Sequence, residues 1–433
     1  MSSAAAPQGS PGTSKRPVGA FSLLALGVNG IVGVGIFFAP ADVARGAPGL
    51  GSVAVFAATA AALVPVAVVF SALGRRFDED GGPVVFARAA FGELPSFVVG
   101  WIAYVSAIAS TAAVLSGLVG AIAPDVGLRG PGAERAGATL LLTALALICA
   151  AGISLSARVW TTLTVLKLIP LAVLAGAYLL AGAPGPAAGL LEARAGASAA
   201  DGSLLRAALT ATFAYQGFEV VPVIAGQVRT PSRIVPVAVG GSLALAAGLY
   251  LVLQLACVAA LPDLASSSAP LADAAAVFGG AGLSRLVTVG TSVSALGIAV
   301  GMVATTPRYL SALAHGQGLA FHFDRVAANG VPLRALAVTW LLVFVLLLGG
   351  TRGELFALSS VAVLTQYVVA ALSLLELARR RERGLGPRQA WASYPAIAVG
   401  LALVAGGQPR EWAVAAGALL IGLLLRWASR RRP

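Results

Sequence analysis

Gly27-Val28-Asn29-Gly30-Ile31-Val32-Gly33-Val34-Gly35-Ile36-Phe37 is the stretch on which the reading of this chain turns. It lies in an apolar run and carries four glycines in nine residues. Each glycine costs a helix about 1 kcal/mol relative to alanine. One reading is close packing of small residues between membrane helices. The other is an unwound segment, which is tolerated at membrane depth only where it lines a cavity or is buried in protein. Unwinding would free amide N–H groups at the start of the next half-helix. Those groups and the positive end of the helix dipole would hold a carboxylate.

Composition sets the solvent. The chain is 58% hydrophobic and 11% charged, whereas soluble domains carry roughly 25% charged residues. Apolar blocks of about twenty residues alternate with short charged loops, the length needed to cross a bilayer. The net charge of +12 comes from basic residues in loops and at the C-terminus, with aromatics inside the apolar blocks. That distribution is a topology signal and argues against nucleic acid as a partner. Cys149 and Cys257 both fall in apolar blocks, so no disulfide framework is expected. The Ser/Pro/Gly-rich N-terminus has no apolar core ahead of a cleavage site and reads as a tail, not a secretory signal.

The expected fold is all-α and integral to the membrane. Twelve spans are expected, at about 19–42, 50–73, 95–121, 136–154, 158–181, 204–226, 234–261, 283–312, 331–350, 354–378, 391–407 and 411–427. With the N-terminus in the cytoplasm, twenty of the 29 basic residues fall in cytoplasmic loops and eight in the opposite loops. This places both termini in the cytoplasm of a protein of the cell membrane. The organisation is a disordered tail (1–18), a ten-helix transport core (19–380), and two additional helices with a basic tail (381–433). Two amphipathic helices are expected on the cytoplasmic surface, one from Asp80 to Gly92 and one from His315 to Asn329. Their positions after the second and eighth spans hint at an internal repeat.

A second interruption is expected in span six, at Phe213-Ala214-Tyr215-Gln216-Gly217-Phe218-Glu219. An acid near mid-membrane is expensive and marks function by default. Glu219 has two readings: a structural one, in which it is protonated or bonds unpaired backbone groups at the break, and direct substrate contact. Interrupted spans in corresponding halves point to a transporter site built from inverted repeats. A break that binds carboxylate, facing one whose carbonyls bind ammonium, describes an amino acid.

These residues resemble a known family. Gly30-Ile31-Val32-Gly33-Val34-Gly35-Ile36-Phe37 with Pro40 looks like the first-helix motif of the amino acid–polyamine–organocation permeases. Gly81-Gly82-Pro83, Ala90-Phe91-Gly92 and Gly100-Trp101 resemble their second-to-third-helix segment. Phe213 to Glu219, followed by Val228-Arg229-Thr230-Pro231-Ser232-Arg233-Ile234-Val235-Pro236, is similar to their sixth helix and its continuation. Arg308-Tyr309-Leu310 and Gly330-Val331-Pro332 fit the region of their eighth helix. The resemblance covers about residues 20–380. It implies a five-plus-five inverted repeat (the LeuT-like fold) with two added C-terminal helices and discontinuous helices 1 and 6. It implies a substrate carboxylate on the backbone of Gly33, Val34 and Gly35. It places the amino group near carbonyls around Ile31, Phe213, Ala214 and Gln216, with Gly217 in the same set, and makes Phe213 or Phe218 a gate or pocket wall. Val34 departs from the family, where a hydroxyl residue is common, so backbone amides alone would hold the carboxylate.

Lys167 sits in span five of a chain whose other lysine is Lys15 in the tail. Lysine can exchange its proton when taken out of water, and arginine cannot. The functional reading is a coupling cation touching the first break, where sodium-coupled relatives of this fold hold their ion; the resemblance supports it. The bland reading is a side chain that snorkels to the interface. Transport driven by protons or by exchange is therefore expected over sodium coupling. An exporter, or a polyamine or organic-cation carrier of the same fold, is the alternative, but the span-embedded acids are few. An enzyme is not expected: His315 and His322 share one cytoplasmic segment, no metal pair or phosphate-binding loop is present, and no cofactor or metal is implied. A channel or receptor would lack the broken-helix logic. The expected partners are a small amino acid, lipid, protons and a second copy of the chain through the last two helices.

Overall fold

The computed structural model describes residues 19–33, 35–77, 81–123, 127–152, 157–183, 203–228, 230–317, 319, 322–382 and 384–430. Extended regular structure there is helical. Helix α1 (Ala20–Ile31) stops, and α2 (Gly35–Gly46) resumes at a bend of 43°. Then come α3 (Leu50–Arg76), α4 (Pro83–Phe91), α5 (Glu93–Ile122), α6 (Pro131–Ala150) and α7 (Ala157–Leu180). Helix α8 (Ser203–Tyr215) passes into a 3-10 helix (Phe218–Gln227) and then α9 (Pro231–Ala260). The chain closes with α10 (Pro270–Gln317), α11 (Leu333–Gly349), α12 (Arg352–Arg379), α13 (Pro387–Ala390), α14 (Ser393–Val404) and α15 (Pro409–Arg430).

Seven of these helices are long and apolar enough to cross a membrane, or eight with the bent α1–α2 pair taken as one span. At 1.5 Å per residue, the 27 residues of α3 reach about 40 Å, longer than a hydrocarbon core of roughly 30 Å. The chain is therefore a multi-pass, all-helical membrane protein. Helix α12 begins with a reciprocal cap: Thr351 Oγ1 accepts from the Glu354 amide, and Glu354 accepts from the Thr351 amide at 2.7 Å. Of the most apolar eighteen residues in α5 and in α12, 78% are buried, against 17% in α15. So α5 and α12 form the centre, and α15 presents most of its surface outward. Trp101 on α5 ties α15 to that centre by donating to the Ala418 carbonyl at 2.7 Å.

Three sequence expectations change. The first amphipathic segment is a helix, α4, but Val85, Phe86, Ala87 and Ala90 are buried in the protein, so it does not simply lie on the surface. The second is not a helix over its length. Helix α10 covers His315 to Gln317, and residues 322–330 are turn and irregular chain. There Asn329 donates to the Ala150 carbonyl at 2.9 Å and accepts from the Val331 amide, so side chain to backbone bonds replace a helical ladder. Ahead of span eight, the chain is already helical from Pro270 and turns at Gly280, where φ is +67°. A left-handed residue without a Cβ takes that bend at little steric cost.

Candidate functional site

The two interruptions lie against each other. Helix α1 makes its last helical bond from the Val32 amide to the Val28 carbonyl at 2.8 Å; the Gly33 amide then turns back to the Ile31 carbonyl at 2.7 Å. Val34 lies outside the described residues. Helix α8 ends at Tyr215, and Gly217 adopts φ +129°, which releases the chain into the 3-10 helix.

The glycines of the opening motif divide their work. A Cβ on Gly217 would overlap the backbone of Gly30 and Ile31, and one on Gly30 would stand 2.8 Å from the Gly217 carbonyl oxygen. A Cβ on Gly35 would stand 2.7 Å from the Ala214 Cα, and one on Gly27 would strike Ser242. These are close-packing glycines. Gly33, in the break itself, is looser: a Cβ there would come no closer than 3.4 Å to the tip of Ile298 and 3.7 Å to the Ile31 carbonyl oxygen. Both readings of the motif therefore hold, at different residues.

Ile31, Gly35, Ala214 and Gly217 thus form one backbone junction, with Gly33 beside it. The carbonyls of Ile31 and Ala214 are already engaged: Tyr250 Oη reaches them at 2.8 and 3.2 Å from α9. Tyr250 was not singled out from the sequence. Its signal was a phenol in an otherwise apolar span, since a buried tyrosine hydroxyl needs a partner.

Lys167 on α7 is 2% exposed and donates to the Asn29 carbonyl at 2.8 Å. In an unbroken helix the Asn29 carbonyl would accept from the Gly33 amide, four residues on. The lysine meets the carbonyl that the break frees. Its ammonium turns into the protein and does not snorkel outward.

Glu219 accepts from the Gly217 amide at 2.7 Å and from the Tyr367 hydroxyl at 2.9 Å. Both bonds use one carboxylate oxygen. Gln216 is held by serines of α12: Ser359 donates to its carbonyl oxygen, and its amide donates to Ser360, each at 3.1 Å. Ser110 of α5 lies 2.6 Å from Ser359. This hydroxyl cluster was also missed; the serine pair inside a predicted span was the available sign.

The two aromatic candidates separate. Phe213 stacks on Phe356 with ring centroids 4.2 Å apart. Phe218 is fully buried on the far side of the break, in edge contact with Phe70 and tilted against Tyr367. A cavity of about 700 Å³ opens beyond the Phe213 side, between the ends of α2, α5 and α11 and the starts of α6, α8 and α12. Thr210 on its wall is one helical turn from Phe213. Among the described residues no group of three or more His, Cys, Asp and Glu gathers as a metal site.

Comparison with known proteins gives this architecture a family. The model of the amino acid permease family matches residues 18–416. An uncharacterized transporter of Mycobacterium tuberculosis is 28% identical over 96% of this chain and 91% of its own. The glutamate/serine transporter AimA of Bacillus subtilis is 28% identical over 84% of this chain and 71% of its own. The serine/threonine exchanger SteT of the same organism is 24% identical over 87% and 86%. These relatives are transporters, not enzymes. The chain belongs to the amino acid permease family, within the amino acid–polyamine–organocation superfamily.

Proposed function

We propose that the protein is a secondary carrier that moves a small neutral or weakly polar amino acid across the cell membrane by alternating access. The observation that carries this reading is the contact between two helix interruptions, Ile31–Gly35 against Ala214–Gly217. The substrate carboxylate would lie on the amides that begin α2, at Gly33, Val34 and Gly35, and would draw the Gly33 amide away from the Ile31 carbonyl. Its ammonium would share with Tyr250 the Ala214 carbonyl and the Ile31 carbonyl, the latter once the Gly33 amide has left it. Phe213, Gln216 and Gly217 would face the substrate, and Phe218 would close the opposite side.

Lys167 would couple the cycle to protons or exchange by holding or releasing the Asn29 carbonyl. Glu219 fits the structural role, because its acceptor oxygen is already used twice. The few span-embedded acids disfavour a polyamine or organic cation. Twelve crossings with an inverted repeat, cytoplasmic termini and a homodimer through α14 and α15 complete the proposal. Support for twelve comes from helix running through every expected span, including the two interrupted ones.

The test is uptake into proteoliposomes with each amino acid, with and without unlabelled substrate inside. A carrier accelerates uptake when substrate waits on the far side. Uptake that requires sodium would overturn the coupling assignment. The absence of both uptake and thermal stabilisation with all twenty amino acids would overturn the function, because a ligand that binds the folded state raises its apparent stability.

A further inference from the structure

The cavity at the ends of α2, α6, α8 and α12 holds charges that the junction does not use. Asp42, Arg45, Glu134, Arg135, Arg206 and Arg352 line it. Arg206 is committed elsewhere, with its guanidinium 2.6 Å from the buried Glu411. Asp42 is different. Its side chain is 9% exposed, and its Oδ1 takes Arg45 and, at 3.9 Å, Arg352. Its Oδ2 is buried with no hydrogen-bond partner. Leaving a buried carboxylate oxygen unpaired is unfavourable, so such an atom calls for a donor. Arg352 has only the long contact to Asp42 and a seat over the Phe38 ring at 4.9 Å, which leaves guanidinium N–H groups to give.

We propose that this cavity is a second binding site for a zwitterionic α-amino acid, with its carboxylate on Arg352 and its ammonium on Asp42. The pairing follows from charge. One anion and one cation stand side by side, each short of partners, in a space of about 700 Å³. A guanidinium offers a planar fork that matches a carboxylate, and an ammonium offers three donors to an acceptor-only carboxylate. Binding would draw Arg352 from Asp42 and turn the orphaned oxygen to the ligand. The wall at Thr210 then leads the amino acid to Phe213 and Ala214, one turn along α8. The site rests on the reading of the protein as an amino acid carrier and adds to it a capture step ahead of the junction.

Equilibrium dialysis of the purified full-length protein against each of the twenty radiolabelled L-amino acids tests this. For at least one of them, two equivalents are expected per chain. R352Q and D42N should each raise the Kd of the second equivalent at least tenfold and leave the first in place, while R352K, which keeps the charge without the fork, should weaken the second equivalent less than R352Q does. The decarboxylated amine and the corresponding hydroxy acid, each lacking one of the two charges, should fail to displace the second equivalent. If D42N does not elute as a monodisperse species, R352Q carries the test, since its side chain is 27% exposed and is not a core group. A single equivalent, unchanged by R352Q, overturns this site and leaves the junction standing. Displacement of the second equivalent by the hydroxy acid also overturns it. No binding of any amino acid overturns the carrier reading and this site with it.

Discussion

At the interruption after Ile31, the freed backbone groups are met by side chains from distant helices. Lys167 comes from α7 to the Asn29 carbonyl, and Tyr250 comes from α9 to the Ile31 carbonyl. At the interruption after Tyr215, the freed Gly217 amide is met by Glu219, two residues further along the same segment. The second break carries part of its cap with it. The first depends on α7 and α9, so any shift of those helices changes which backbone groups are satisfied. The carbonyls of the first break are capped by other helices, whereas the second combines a local cap at Gly217 with the reach of Tyr250 onto the Ala214 carbonyl.

Substitutions can break or sharpen that contrast. G217A should have the largest effect. It adds a Cβ onto the backbone of Gly30 and demands φ +129° of a side-chain residue. Strain and overpacking together amount to about 3 kcal/mol or more. The expected result is aggregated protein on gel filtration; a monodisperse, transporting variant would mean that the junction is loose. K167A comes next. It leaves the Asn29 carbonyl unpaired, at about 1–3 kcal/mol. Transport should fall at least tenfold while the protein elutes as a single species. If K167A transports like the wild type, the lysine is only structural.

E219Q should cost about 1 kcal/mol. A glutamine oxygen can still accept from the Gly217 amide and Tyr367, but without charge assistance. Thermal unfolding should shift downward by a few degrees, with uptake retained within about threefold. A complete loss of transport in a folded E219Q would make the acid functional and more than a local cap on Gly217. G33A should have the smallest effect on stability, about 0.5 kcal/mol or less, because its new methyl makes only ordinary contacts, the nearest with Ile298 at 3.4 Å. Its informative readout is KM, which should rise if the Gly33 amide faces the substrate.

Much of this was legible in advance. Both interruptions stood out because glycine, glutamine and glutamate are costly in an apolar helix. Lys167 stood out because the chain otherwise builds its loops with arginine. The His315–Asn329 segment was misread as a helix because its apolar and charged residues suggested an amphipathic face. The pull of Asn329 on Ala150, 179 residues away in the chain, leaves no trace in local pattern. The serines of α12 were passed over because a serine or threonine hydroxyl in a membrane helix can bond its own helix, as Thr111 does to the Ala107 carbonyl. Only the fold decides which hydroxyls reach across.

Composition and residue pattern placed this chain in lipid and marked the two stretches that were candidates for a broken helix. Those are one-dimensional facts: apolar length is set against bilayer thickness, and helix propensity against glycine and charge. The tertiary structure decided what the breaks touch. It set Gly30 on Gly217 and Gly35 on Ala214, approaches that only residues without bulk permit. It brought Lys167 to a carbonyl 138 residues away. It left Asp42 half satisfied beside Arg352 at the mouth of the cavity. Unpaired backbone and unpaired charge are properties of neighbours in space, and chain order does not encode who those neighbours are.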